Sequence, residues 1–91
     1  MTDSPKPVPS VYDHLGIILQ QLVEVAWQKL GLQPDMMTGR IEANFPEAKV
    51  AIDLASHISS LVELQLDADD RRQLQNVMRD LRVNYVQRVG A

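Results

Sequence analysis

The chain has 91 residues, none of them cysteine, and is 45% hydrophobic and 23% charged. That is enough for one domain, with roughly 60–65% of the unfolded surface buried on folding. Without cysteine, disulfide staples, thiolate nucleophiles and the usual zinc and iron–sulfur ligand sets are excluded. An unstapled domain of this size fits the reducing cytoplasm, and its net charge of −3 runs against the basic footprint that nucleic-acid binding requires.

Residues 1–9, with Pro5, Pro7 and Pro9 set among Asp3 and Lys6, read as a flexible, partly extended tail rather than the n-region of a signal peptide. Ser10 is a good N-cap and Asp13 suits the electropositive first turn of the helix that follows. Val11, Leu15, Ile18, Leu19, Leu22, Val23, Ala26, Trp27 and Leu30 recur at helical spacing, and Gly31 with Pro34 beyond it makes a stop signal. The pattern predicts helix 1 over about 11–30. Gln20, Gln21, Glu24, Gln28 and Lys29 interrupt its apolar run, so no membrane span is expected.

Residues 33–43 carry turn chemistry in Pro34-Asp35 and Thr38-Gly39, a long connection for a small helical domain. Ile41 is the apolar residue expected to pin it to the core. Asn44, Pro46 and Glu47 mark a second helix start, and Ala48, Ala51, Ile52, Ala55, Ile58 and Val62 form a stripe flanked by Leu54, Leu61 and Leu64. Helix 2 is predicted over about 45–64. Asp67 and Asp70 open helix 3, predicted over about 68–89 with the stripe Leu74, Val77, Met78, Leu81, Tyr85 and Val89. With no glycine or proline between helices 2 and 3, their turn must be tight. The expectation is a single all-α domain over 10–91, a three-helix bundle or helical array completed by dimerisation.

Dimerisation is inferred from helix 1. A helix covering one side of a core needs an apolar stripe somewhat wider than ~100°, whereas here the polar positions Asp13, Gln20, Gln21, Glu24 and Gln28 leave most of the circumference apolar. Exposed apolar patches of that size mark interfaces, so Ile18, Leu19, Leu22, Val23 and Trp27 are the candidate interface of a homodimer. Two other readings stay open. The tail and the long loop could fold over helix 1, or the helix could lie on a membrane surface, although its polar strip lacks the lysines and arginines that such a role uses.

The chemical constellations are sparse. Asp53 and His57 lie four residues apart, and Lys49 four before Asp53, so all three share one helix face. A carboxylate–imidazole pair could do acid–base work, but neither a nucleophile nor further metal ligands are legible beside it; a solvated ladder or a polar network between helices 2 and 3 is the favoured reading. His14, beside Asp13, suits a solvent-facing first turn. Arg72, Arg79 and Arg82 fall roughly on one side of helix 3, with Arg71 and Arg88 nearby among Asp69, Asp70 and Asp80, a grouping that could grip phosphate or could be a solvated face. Ser56, Ser59 and Ser60 have no glycine elbow, and Gly39 stands alone rather than in a phosphate loop. No catalytic residue, cofactor or metal is expected.

Leu30-Gly31, Pro34-Asp35, Thr38-Gly39, Ala48-Lys49, Ile52-Asp53-Leu54, Asp80-Leu81-Arg82 and Tyr85-Val86 occur in an order and spacing that resemble the short bacterial proteins grouped as domain of unknown function 1844. The resemblance covers most of the chain after the tail and implies a helical fold in a bacterial cytoplasm, with no activity, substrate or cofactor attached. It singles out Lys49, Asp53, Asp80, Arg82 and Tyr85 as a polar network, in which Asp53 is expected to meet Arg82 or Tyr85 across the contact between helices 2 and 3. The chain departs from that pattern at Leu64-Gln65, where a glycine turn is usual, and at His57, where an apolar residue is usual. The leading expectation is a non-enzymatic interaction protein, homodimeric through helix 1 and open to a further protein partner. The alternative is a binder of a small anionic ligand or nucleic acid using the helix 3 arginines, and the third is an enzyme using Asp53 and His57.

Overall fold

The computed structural model describes residues 8–90, so the expected tail is covered only from Val8 onward and its first seven residues lie outside the described ones. Three helices carry the fold: α1 (Val11–Lys29), α2 (Phe45–Val62) and α3 (Ala68–Val89), with a one-turn 3-10 helix, Glu63–Gln65, between the last two. No strand occurs among the described residues, and the protein is all-α, as the pattern of stripes and caps predicts.

Each helix begins where the local chemistry calls for it. The Ser10 hydroxyl accepts from the Asp13 amide and the Asp13 carboxylate accepts from the Ser10 amide, a complete capping box. The Asn44 side chain accepts from the Glu47 amide and donates to the Glu47 carboxylate, and Asp67 accepts from the Asp70 amide. Helix α1 ends on the expected glycine. Gly31 takes φ +79°, its amide bonds the Gln28 carbonyl, and the Leu32 amide bonds that of Trp27, the paired bonds of a Schellman cap. Leu30, expected inside the helix, is the capping residue itself and is fully buried.

The long connection is held by polar bonds rather than by its apolar residue. The Asp35 carboxylate accepts from the amides of Met37 and Thr38 and from the Thr38 hydroxyl, while the Asp35 amide bonds the Arg40 carbonyl at 2.7 Å. These backbone donors hold the Asp35 carboxyl below its ordinary pKa. Ile41 is 65% exposed and pins nothing. The anchors lie at the ends of the connection: the Asn44 amide bonds the Lys29 carbonyl, Gly31 sits against Ala43, and Phe45 packs on the core.

The turn from α2 to α3 closes without glycine because Arg71 reaches back. Its guanidinium donates to the carbonyls of Glu63 and Leu66, joining the Leu66 amide that also bonds the Glu63 carbonyl. Helix 2 stops at Val62 and tightens into a 3-10 turn closed by the Leu66 amide on the Glu63 carbonyl, instead of running to residue 64.

The core runs along α2. Leu19, Ala26 and Leu30 meet Ala48, Ala51, Ile52 and Ala55, with Met78 and Leu81 arriving from α3. Side chains as small as these alanines permit the near end of the usual ~8–10 Å range of helix separations. Helix α2 buries six residues, and both neighbours pack on it, whereas α1 and α3 meet each other only marginally.

Candidate functional site

Two ion-paired or hydrogen-bonded contacts orient the sides of α2. Lys29 at the end of α1 bonds Glu47 at 3.0 Å, which keeps the Lys29 ammonium protonated above its ordinary pKa. Arg82 on α3 bonds the Ser56 hydroxyl at 2.7 Å. At about 100° per residue, Glu47 and Ser56 lie roughly 180° apart around α2. The side of the α1–α2 hairpin that carries the Lys29–Glu47 pair is therefore the side that α3 does not cover.

That uncovered side is apolar. Val11, Leu15, Ile18, Leu22 and Val25 lie within about 40° of Lys29 on α1, and Leu54, Ile58 and Leu61 within about 40° of Glu47 on α2. Ile18 is 43% exposed, Val25 37%, Leu54 49% and Leu61 44%, with Leu15, Leu22 and Ile58 half-buried between them. His57 borders this surface beside Leu54 and Leu61, and no Lys, Arg, Asp or Glu lies within it between the hairpin's ends.

The five residues expected at an interface are distributed unevenly. Ile18 lies on this face and Leu22 at its inner border. Val23 and Trp27 are half-buried against the core. Leu19 is buried in the core of its own chain, out of reach of any partner, because it shares the α2-facing side of α1 with Ala26 and Leu30. Leu54, Ile58 and Leu61 were visible as apolar positions, but their membership of the same surface depends on how α1 and α2 are rotated against each other.

The polar residues gather on another side of α2. Lys49, Asp53, Arg82 and Tyr85 line one cleft between α2 and α3, with Ile52 and Val86 as its apolar wall. Asp80 is elsewhere, paired with Arg79 at 3.3 Å. Asp53 borders α3 but bonds Lys49 at 2.7 Å, and Arg82 reaches Ser56 instead of Asp53. The register explains the difference, since Ser56 projects nearer to α3 than Asp53 does and meets the guanidinium first. Hydrogen bonding and charge from Asp53, with a smaller contribution from Tyr85, hold the Lys49 ammonium above its ordinary pKa.

Asp53 and His57 do not form a site. His57 is exposed and does not line the cleft that holds Asp53; it lies on the outer side of α2 among Val50, Leu54 and Leu61. His14 is exposed in the first turn of α1. The α3 arginines are divided too: Arg71 is turned to backbone carbonyls, Arg79 to Asp80 and Arg82, at the border of the cleft, to Ser56. Among the described residues no group of three histidine or acidic side chains could hold a metal ion, and no helix is long and apolar enough to cross a membrane.

A small all-helical chain with an apolar hairpin face and a polar interhelical cleft defines a class of compact helical domains, not a reaction. The profile of a family described as Domain of unknown function (DUF1844) matches residues 12–87, and the chain belongs to that family. A comparison with curated proteins gave no match, and neither did one with solved structures.

Proposed function

We propose that the protein is a non-enzymatic interaction module of the cytoplasm that pairs with a second copy of itself through α1, with α2 completing the surface. The observation that carries this reading is the apolar face of Ile18, Val25, Leu54 and Leu61 on the side of the hairpin away from α3. A two-fold interface must be self-complementary, and a two-helix face with no Lys, Arg, Asp or Glu between its ends, packed on its own copy, makes a four-helix arrangement of ordinary geometry. Helix α1 is about 28 Å long at ~1.5 Å per residue. A face that long and two helices wide amounts to several hundred Å², which approaches the ~800 Å² per partner of a standard interface.

The absence of cysteine supports the cytoplasmic placement. The polar side of α1 carries Gln20, Gln21, Glu24 and Gln28 and no cation before Lys29, which favours a protein partner over an anionic membrane surface.

The test is light scattering of the full chain across a concentration series. A dimer is expected, with Ile18→Lys and Leu54→Glu each converting it to a monomer of unchanged helicity. A wild-type protein that is monomeric at high micromolar concentration defeats the proposal.

A further inference from the structure

We infer that the cleft between α2 and α3 binds an oxyanion, a carboxylate or phosphate group, attached to a short apolar body. It lies on a different side of α2 from the face assigned above to self-association, so the two inferences stand or fall separately.

The charge balance in the cleft is the first ground. Its charged lining consists of Lys49, Arg82 and Asp53, two cations to one carboxylate. Asp53 is committed to Lys49. Arg82 is different: its anchor is the uncharged Ser56 hydroxyl, and no ion pair among the described residues includes it. Arg79, three residues earlier, has a carboxylate beside it. Ser56 thus fixes the direction of the Arg82 guanidinium without cancelling its charge.

Donor geometry is the second ground. Guanidinium has five N–H groups in a planar fork, of which Ser56 takes one through Nη2. The remainder suit two oxygens of a carboxylate or phosphate bound side by side. Lys49 is held protonated and has donors beyond the one given to Asp53. Tyr85, half-buried on the same wall, offers a phenolic hydroxyl. Three donors of different reach thus border one cleft.

Size and lining set the ligand class. The cavity is about 230 Å³, below the ~300–1,000 Å³ typical of metabolite and cofactor pockets. It can hold an acidic head group with a small apolar substituent, but not a nucleotide. Ile52, Val86 and the Tyr85 ring form the wall against which that substituent would lie. The adjoining cavity on the other side of Arg82, which Ser56 also lines, is the poorer anion site: its carboxylate, Glu63, is in no ion pair among the described residues, whereas Asp53 is neutralised by Lys49.

Nitrogen–proton correlation spectra of the full chain, titrated with benzoate, phenyl phosphate and inorganic phosphate, test this assignment. Saturable shifts of the Ile52, Tyr85 and Val86 amides and of the Arg82 side-chain N–H are expected with at least one phenyl probe, which should bind several-fold more tightly than inorganic phosphate. Benzoate and phenyl phosphate report which oxyanion is preferred. Arg82→Gln should weaken binding at least tenfold, as should Lys49→Gln, a change at an exposed position that disturbs no packing; Arg79→Gln should leave it unchanged. Shifts that never saturate, that persist in both cleft variants, or that occur equally with inorganic phosphate overturn the inference.

Discussion

The two neighbours of α2 are held to it in different ways. Toward α1 the contact is apolar and close, with Ala26, Leu19 and Leu30 set against Ala48, Ala51 and Ala55. The loop ends are locked as well, by the Lys29–Glu47 pair and the Asn44 amide on the Lys29 carbonyl. Toward α3 the buried contribution comes from Met78 and Leu81 alone in a helix of 22 residues, supplemented by half-buried Leu74, Val77 and Tyr85 and by the polar crossings of Arg71 and Arg82. Full burial of a large apolar side chain contributes on the order of 1.5–3 kcal/mol, and in that respect Met78 and Leu81 match Leu19 and Leu30; what sets the hairpin apart is the more extensive contact of α1 with α2, and α3 is attached along one side of it. This inequality also accounts for the two surfaces: α3 covers one flank of the hairpin incompletely and leaves a cleft, and the other flank has no cover from this chain.

The largest effects should separate the two contacts. Leu30→Ala empties a fully buried position where α1, the loop and α2 converge; a loss of about 3–5 kcal/mol is expected, read as a fall in the urea midpoint for the whole protein. Leu81→Ala, at an equally buried site, should cost about 2–3 kcal/mol and act locally. Amide exchange should accelerate through residues 80–88 before it does so in α2. Equal acceleration in α1, α2 and α3 would mean that the three helices form one cooperative unit and that the contrast drawn above is wrong.

A smaller effect sharpens the account of the hairpin's closure. Gly31→Ala places a Cβ 3.2 Å from that of Ala43 at φ +79°, and a loss of about 1–2 kcal/mol is expected from the left-handed backbone and the contact together. An unchanged denaturant slope would show that stability falls with no change in the surface exposed on unfolding.

The smallest effect concerns the loop alone. Because backbone donors lower the Asp35 pKa from 3.8, its contribution is complete above that value and disappears as the pH falls through the lower, folded-state value. The Met37 and Thr38 amide resonances should therefore stay put down to about the ordinary carboxylate range and move only in stronger acid. A transition of these amides above that range would show that the carboxylate is not their acceptor.

How much could be read beforehand depends on the reach of each interaction. The caps at Ser10, Asn44 and Asp67 and the glycine stop at Gly31 involve partners three to five residues apart, so residue order alone exposes them. The turn after α2 was half legible: the missing glycine showed that the turn was unusual, but the closing group, Arg71, bonds carbonyls five and eight residues back and carries no distinctive spacing. Ile41 misled because an isolated apolar residue in a loop is a weak predictor of burial, and the loop is organised by Asp35. In the polar cluster, Lys49, Asp53, Arg82 and Tyr85 were named together, whereas Ser56, the residue that orients Arg82, was read only as a helical serine without nucleophile chemistry.

Helix 1 shows where that division falls. Its extent, its caps and the excess of apolar residues around its circumference follow from the sequence by itself, because each is a property of one helix and its period. Which of those residues serve the chain's own core was decided only when α2 and α3 took their places. Packing put Leu19, Ala26 and Leu30 inside and left Ile18 and Val25 on a face shared with Leu54 and Leu61. The rotation of one helix against another is set by the fit of side chains distant in the sequence, and no local pattern contains it.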